Sequence, residues 1–300
     1  MINRGELKTE QQNSISENID LMSIKDILLT INEEDNKITS AIKKALPQIE
    51  EVIKYTCNSI KEGGRVFYIG AGTSGRLGVL DASEIQPTFS LKPNVFIGLI
   101  AGGDKALKSS IEGAEDDKTS IRNELKSYGI CNKDTLIGIS CSGAAEYVVS
   151  GLSYARKSGA RTAYLITNKK PFFATKVDTL ITVITGPEIL TGSTRMKAGT
   201  ATKMVLNMIS TTTMIKLGKV YGNLMVDLMA INKKLCERGA RIISQVSGLN
   251  LNNSELLLIK ADYSVKCAIV MHFLDCTLAE AKHQIIISDG FLSKVLKLKK

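Results

Sequence analysis

The sequence predicts an α/β protein built on a doubly wound, five-stranded parallel sheet, with a helical N-terminal segment and a small helical C-terminal subdomain. Five apolar runs rich in β-branched residues occur between residues 65 and 185, and helix-like segments separate most of them. Apolar strands that alternate with helices are typical of a parallel sheet covered on both faces. Ligands of such sheets bind at the carboxyl ends of the strands, where the strand order switches. The loops that follow the strands are therefore the places to look for function.

The elements are predicted in chain order. The first sixty residues repeat apolar side chains at steps of three and four, which indicates helices, and Ser23 is the candidate cap of the first one. The strands are predicted in RVFYIGA, NVFIGLIA, DTLIGISC, RTAYLITN and VDTLITVIT. After residue 198, GTATKMVLNMISTTTMIKLGKV predicts one long helix. The last fifty residues predict three short helices, in ELLLIKADYSVKCAIVMHFL, TLAEAKHQII and DGFLSKVLKL.

These boundaries predict three regions. Residues 1–53 form N-terminal helices, residues 54–220 form the ligand-binding sheet domain, and residues 221–300 form a helical C-terminal region. The composition, with 44% hydrophobic and 23% charged residues, is that of an ordinary globular protein.

Charge and cysteine usage narrow the class of partner. The net charge is +9, but the basic residues are scattered and no aromatic residues interleave with them, so we expect anionic small molecules rather than nucleic acid. Six cysteines without a C-x-x-C pair indicate reduced thiols, and we favour core packing over zinc for Cys267, His272 and Cys276. The sequence shows no apolar signal segment and no membrane span, so we expect a cytoplasmic protein that binds neither nucleic acid nor membrane.

The first strand ends in a glycine-rich turn, IGAGTSG. Its glycines fit the G-x-G-x-x-G spacing of a dinucleotide site, but the second strand ends in AGGDK, with glycines where such a site places an acid. Hydroxyls and backbone N–H groups at a helix N-terminus suit a single phosphate monoester instead. The candidate ligand residues in this turn are Gly72, Thr73, Ser74 and Gly75.

Two further strand-end loops carry the same chemistry. Ser140, Ser142 and Gly143 follow the third strand, and ordinary βα turns with serine caps are an alternative that spacing alone leaves open. A third polar cluster follows the last strand, and its alternative is a charged helix start. The members of this third cluster are Ser193, Thr194, Arg195 and Lys197.

Three long motifs resemble the N-acetylmuramic acid 6-phosphate etherase family, which has the sugar-isomerase (SIS) fold. They are IGAGTSGRLGVLDASEIQPTF, GLIAGGDKALKSSIEGAEDD and TGPEILTGSTRMKAGTATKMVLNM, and the resemblance extends over essentially the whole chain. It implies cleavage of a D-lactyl ether to N-acetylglucosamine 6-phosphate and D-lactate, in the cytoplasmic recycling of cell-wall amino sugars. It also implies a homodimer and no metal or redox cofactor.

The resemblance places two catalytic glutamates at Glu84 and Glu115. It makes Glu84 the proton donor and Glu115 the base or water activator, although the residues alone do not assign acid and base. By itself a glutamate on a helix is a solvated surface charge, and sequence alone does not separate Glu115 from its acidic neighbours. The resemblance also implies that the third loop closes over the substrate, with Arg195 or Lys197 as the candidate partner of phosphate or lactate carboxylate.

The sequence departs from the family at the second loop. The family usually has Arg-Thr-Pro where this chain has Ala144, Ala145 and Glu146, so we expect weaker binding of the 6-phosphate. Two other functions compete with the etherase. One is a non-catalytic sugar-phosphate sensor related to glucokinase regulatory protein, and the other is an aldose–ketose isomerase on the same fold.

Overall fold

The computed structural model describes residues 4–230 and 232–297. The chain divides into two compact units. The sheet unit comprises Met1–Ser83 and Asn94–Ser210, and the helical unit comprises Glu84–Pro93 and Thr211–Lys300.

The sheet unit contains the five predicted strands, all parallel. They are β1 (Val66–Gly70), β2 (Phe96–Ile100), β3 (Thr135–Ile139), β4 (Arg161–Ile166) and β5 (Thr179–Thr182). Their order is β2-β1-β3-β4-β5, so the chain steps from β1 to one side and then returns to the other side of β1. Gly70, the last residue of β1, pairs with Ile100 of β2 and Ile139 of β3. The switch in strand order therefore lies between the ends of β1 and β3, and the predicted fold class is confirmed.

Helices form in both units because their apolar residues repeat at helical spacing. The helices are α1 (Ile24–Asp35), α2 (Lys37–Lys61), α3 (Gly72–Phe89), α4 (Lys105–Lys108), α5 (Ser120–Ser127), α6 (Glu146–Lys157), α7 (Lys197–Lys216), α8 (Lys233–Ser247), α9 (Leu251–Lys260), α10 (Val265–Leu274), α11 (Leu278–Ile287) and α12 (Leu292–Lys297). Ser23 caps α1 as predicted, since its side chain accepts the N–H of Asp26. On α2, Ile38, Ile42, Ile49 and Val52 are all buried, and the helix packs against β5, β1 and β3.

The helical unit differs from the prediction in two respects. The apolar run predicted as one helix over 255–274 is two helices, because α9 ends at Lys260 and α10 begins at Val265. Asp262 and Tyr263 have φ of +52° and +59°, and the Ser264 side chain accepts the N–H of Cys267, which starts α10 anew. The sequence marks this break with the polar stretch KADYS, but neither glycine nor proline stands in it. The helix α8 was not predicted individually.

The helical unit has its own apolar core, and one buried lysine joins three of its segments. Lys266 Nζ donates to the carbonyls of Gly218, at 2.9 Å, and Gly290, at 3.0 Å, and it forms an ion pair with Asp227. Cys267 is buried in this core, and none of the six cysteines, all of which the structure describes, forms a disulfide. Within residues 4–230 and 232–297, no helix combines the length and the apolar character needed to cross a membrane.

Candidate active site

The turn between β1 and α3 depends on glycine at two positions. A Cβ atom on Gly70 would lie 2.6 Å from the Gly75 nitrogen, and one on Gly75 would lie 2.6 Å from the Gly70 oxygen. Gly72, where α3 begins, has a φ of +53°, a left-handed conformation that favours glycine. These glycines let the helix start directly on the end of the strand. The free N–H groups of the first turn of α3 are therefore held at the carboxyl edge of the sheet.

The loop after β3 is fixed by its own serines. The Gly143 N–H donates to the Ser140 carbonyl and hydroxyl oxygens, both at 3.2 Å, and the Ala144 N–H donates to Ser142 Oγ at 3.2 Å. Gly143 has a φ of +73°, and a Cβ there would lie 2.5 Å from Pro171 Cα. A serine hydroxyl that accepts an N–H keeps its own proton to donate. Both hydroxyls are thus oriented by the backbone and can donate to an anion.

The two loops enclose a cavity of about 170 Å³ at the switch point, which we call the hydroxyl cavity. It is lined by Ala71, Gly72, Thr73, Ser74, Glu115, Ile139, Ser140, Cys141, Ser142, Ala145 and Thr194. Ser74 Oγ and Cys141 Sγ, one from each loop, are 3.8 Å apart. Five of the lining residues carry hydroxyls, and Glu115 is the one lining residue that carries a charge.

The structure brings together seven of the residues predicted from the sequence. Those that line the hydroxyl cavity are Gly72, Thr73, Ser74, Glu115, Ser140, Ser142 and Thr194. Gly75 and Gly143 shape the backbone beside it. Ser193 is half-buried and Arg195 is exposed, and neither belongs to the lining. Glu84 is exposed on α3 and belongs to the helical unit, where its carbonyl accepts the hydroxyl of Thr88 at 2.7 Å.

Lys197 occupies a different environment from the other predicted ligands. Its side chain is 1% exposed and forms an ion pair with Glu34 of α1, which is 2% exposed and also binds Lys37. Burial acts to raise the pKa of the Glu34 carboxyl, but the hydrogen bonds from Lys197 and Lys37 outweigh it and the pKa is lowered. The positive charge of Lys197 is therefore balanced inside the protein.

The Glu188 side chain holds the first residues of α7 through hydrogen bonds from their backbone N–H groups. It is fully buried, and its carboxylate accepts the N–H groups of Lys197, at 3.0 Å, and Ala198, at 2.8 Å. Burial raises the pKa of this carboxyl, and the two N–H donors act in the opposite direction. Sequence reasoning missed both Glu34 and Glu188. Glu188 lies nine residues before Lys197, too far for the capping patterns that mark a helix start, and Glu34 is distant in the chain.

The three residues that depart from the family pattern have distinct positions. Ala145 lines the hydroxyl cavity and is the N-cap residue of α6, where it supplies no side-chain hydrogen bond. Ala144 is buried and lies outside the lining. The Glu146 carboxylate forms an ion pair with Lys118 at 2.9 Å, so a local cation offsets the added charge.

Comparisons with known proteins agree with this geometry. The family model of the glucokinase regulatory protein N-terminal SIS domain matches residues 48–156, a stretch that contains β1, β2, β3 and both loops of the hydroxyl cavity. The fold and the site thus define a protein of the SIS class.

Relatives over nearly the full length give the family. The chain is 47% identical over 98% of its length to N-acetylmuramic acid 6-phosphate etherase of Caldanaerobacter subterraneus, of which it covers 96%. It is 46% identical to the etherase of Pseudothermotoga lettingae, with 97% of each chain covered. It is 48% identical to the etherase of Bacillus cereus, with 97% of this chain and 99% of that one covered. The chain belongs to the N-acetylmuramic acid 6-phosphate etherase family, and the resemblance predicted from the sequence is confirmed.

The Lys197–Glu34 pair generates a prediction about stability. Removing one partner of a buried ion pair leaves an uncompensated charge, which typically costs about 3–5 kcal/mol. We expect Lys197→Met to lower the free energy of unfolding by about 3 kcal/mol, at the lower end because Lys37 still binds Glu34. Urea denaturation measures this loss. Combining Lys197→Met with Glu34→Gln should recover part of it.

Arg195→Met is the matched control, since Arg195 belongs to the same loop but is exposed. It should change the free energy of unfolding by less than about 0.5 kcal/mol. If Lys197→Met were equally harmless to stability, the buried pair would not hold this loop.

Proposed function

We propose that this protein cleaves the D-lactyl ether of N-acetylmuramic acid 6-phosphate, giving N-acetylglucosamine 6-phosphate and D-lactate, in the recycling of cell-wall amino sugars. The observation that carries the proposal is the 46–48% identity, over 97–98% of the chain, to proteins that bear this etherase name. The match to the regulatory protein model covers only residues 48–156. The similarity to the etherases extends over far more of the chain than the similarity to the regulatory protein, which favours an enzyme over a regulator.

The hydroxyl cavity is the proposed site of the 6-phosphate. Thr73, Ser74, Ser140, Ser142 and Thr194 supply hydroxyl donors around it. The N-terminus of α3 adds backbone N–H groups and the positive end of the helix dipole, both of which favour an anion. These donors support phosphate binding without a lysine or arginine in the lining.

The proposed reaction is an elimination followed by addition of water. In the open-chain sugar the aldehyde acidifies the proton on carbon 2, and the lactyl ether on carbon 3 is a leaving group. A base takes the proton, the bond between carbon 3 and the ether oxygen breaks, and an acid protonates the departing oxygen to give D-lactate. Water then adds at carbon 3. We assign the base to Glu115, which borders the hydroxyl cavity, and the acid to Glu84.

Further proposals concern the setting of the reaction. We expect the protein to act in the cytoplasm as a homodimer, and neither elimination nor water addition requires a metal or redox cofactor. We retain residues 54–220 as the proposed sugar-phosphate-binding domain, with residues 1–53 and 221–300 as the flanking helical regions.

The position of the broken bond tests the mechanism. In H₂¹⁸O the new hydroxyl oxygen should come from solvent, so the label should enter the sugar at carbon 3 and leave the lactate hydroxyl unlabelled. The ¹³C isotope shift at carbon 3 locates the label, because the aldehyde oxygen exchanges with water by itself. Label in the lactate would contradict elimination, and absence of D-lactate would refute the proposed function.

The glutamates are tested by isosteric substitution. Glu84→Gln and Glu115→Gln should each lower the turnover number by about 10²-fold or more, because each removes a proton-transfer group worth about 10²–10⁴-fold. Asp117→Asn is the matched control, since Asp117 is an exposed acid two residues after Glu115 and lies outside both the hydroxyl cavity and the cavity that adjoins it. A glutamate whose variant keeps the original rate has no part in the proton transfers.

Ala145 offers a gain-of-function test at the second loop. Ala145→Thr restores a side-chain cap on α6, which is typically worth about 1 kcal/mol of stability. Its hydroxyl would also face the hydroxyl cavity. A hydrogen bond to a charged group contributes about 1.5–3 kcal/mol, so the Michaelis constant should fall about tenfold or more while the turnover number changes little.

Melting temperature and initial rates measure the two effects of Ala145→Thr separately. Ala144→Thr is the control, because Ala144 is buried, precedes the cap position and lies outside the lining. A stabilised Ala145→Thr protein with an unchanged Michaelis constant would place the 6-phosphate away from this helix.

A further inference from the structure

A second cavity adjoins the hydroxyl cavity in the sheet unit. It measures about 330 Å³, and we call it the side cavity. The two cavities share Ala71, Gly72 and Glu115. The rest of the side cavity is lined by Arg76, Ala101, Ala106, Ser109, Ser110, Ile111, Glu112, Gly113, Ala114 and Asp116. Glu115 therefore lies between the hydroxyl cavity and the side cavity, whose lining carries an arginine and acidic residues.

Arg76 is the one cationic residue that lines the side cavity. It is half-buried on the first turns of α3, with Nε donating to the Leu107 carbonyl and one terminal nitrogen donating to the Ser109 carbonyl, both at 3.2 Å. Within residues 4–230 and 232–297, the Arg76 guanidinium forms no ion pair with a carboxylate, unlike Arg65, Arg161 and Arg241. The two carbonyls fix its plane, and its second terminal nitrogen remains able to donate to a ligand.

The other charged residues of the side cavity are acids. Glu112, Glu115 and Asp116 are all exposed, and a bound carboxylate would be repelled by them. A planar carboxylate is nevertheless the anion that a guanidinium binds best, because the fork of N–H donors matches its two oxygens. An anionic ligand would therefore bind in the side cavity only if its charged group contacted Arg76.

We propose that Arg76 binds the lactyl carboxylate of the substrate and that the side cavity is the subsite for the lactyl group. This inference rests on the proposed function, which gives the substrate two anionic ends. With the phosphate in the hydroxyl cavity and carbons 2 and 3 beside Glu115, the substituent on carbon 3 extends across the border into the side cavity. The loop cation Lys197 is already neutralised by Glu34, and Arg195 lines neither cavity.

The subsite would determine specificity. N-acetylglucosamine 6-phosphate lacks the carboxylate, so it forms no ion pair with Arg76. The repulsion between its phosphate and the three acids is then not offset by that ion pair. The substrate is thereby favoured over the sugar product, and the product is released once the lactyl group has left.

Binding of two unreactive ligands tests the proposal. Reducing carbon 1 to the alcohol removes the aldehyde, so N-acetylmuramitol 6-phosphate binds without elimination, and N-acetylglucosaminitol 6-phosphate is the same molecule without the lactyl group. By calorimetry the wild-type protein should bind the lactyl-bearing alcohol more tightly. Arg76→Gln should raise its Kd about tenfold or more and change the Kd of the other alcohol by less than about twofold.

The controls separate this role from a structural one. Arg122→Gln removes another arginine that hydrogen-bonds within the protein, through Ser150, but lies outside both cavities, and it should leave both Kd values unchanged. Arg76→Lys keeps the charge and loses the fork, so it should weaken the lactyl-bearing ligand selectively even if Arg76→Gln fails to fold. Equal weakening of both ligands, or no weakening, would overturn the inference.

The same measurements distinguish the two proposals. If the wild-type protein releases no D-lactate yet prefers the lactyl-bearing alcohol through Arg76, the proposed function fails and the carboxylate subsite stands. If D-lactate is released but the wild-type protein does not discriminate between the alcohols, the subsite is refuted and the etherase activity stands.

Discussion

The close approach of Gly70 and Gly75 is the constraint on which the site depends. With Cβ positions 2.6 Å from the opposing backbone, no other residue type fits at either place without a shift of the chain. Because strand and helix meet without an intervening loop, the first turn of α3 lies beside the end of β1 and its N–H groups face the switch point. Thr73, Ser74 and Arg76 then follow as consecutive features of one helix start, and the hydroxyl cavity and the side cavity lie on either side of Glu115.

The buried charged side chains have partners within the protein, whereas the hydroxyl cavity offers mainly neutral hydrogen-bond donors. The buried Lys197 and Glu34 neutralise each other, and the buried Glu188 is satisfied by two backbone N–H groups, so the loop before α7 is held by closed interactions. The hydroxyl cavity instead has neutral donors and a single carboxylate at its border. A ligand phosphate would therefore meet preorganised dipoles rather than mobile cations, and its binding would depend on geometry.

The fold was predictable because its signals are local. Each strand is a short apolar run, four of the five runs end in a turn marked by Gly or Ser, and the order of runs and helices implies a parallel sheet. Thr73, Ser74, Ser140 and Ser142 could be predicted for the same reason, since strand-end loops converge at a switch point. The break between α9 and α10 was missed because Asp262 and Tyr263 adopt the left-handed conformation there without a glycine or proline to mark it, although Ser264 is a candidate cap.

The environment of Lys197 could not be predicted, since its partner Glu34 is 163 residues away in the chain and looks like one more acid on a polar helix. This pairing has a consequence for dissecting the protein. The recognisable SIS domain begins at residue 48, yet the carboxylate that neutralises Lys197 comes from before that point. A fragment that begins at residue 48 would lack Glu34 and would leave the buried Lys197 ammonium without this carboxylate partner. We therefore expect a stably folded fragment to include α1, which supplies this carboxylate from outside the proposed domain of residues 54–220.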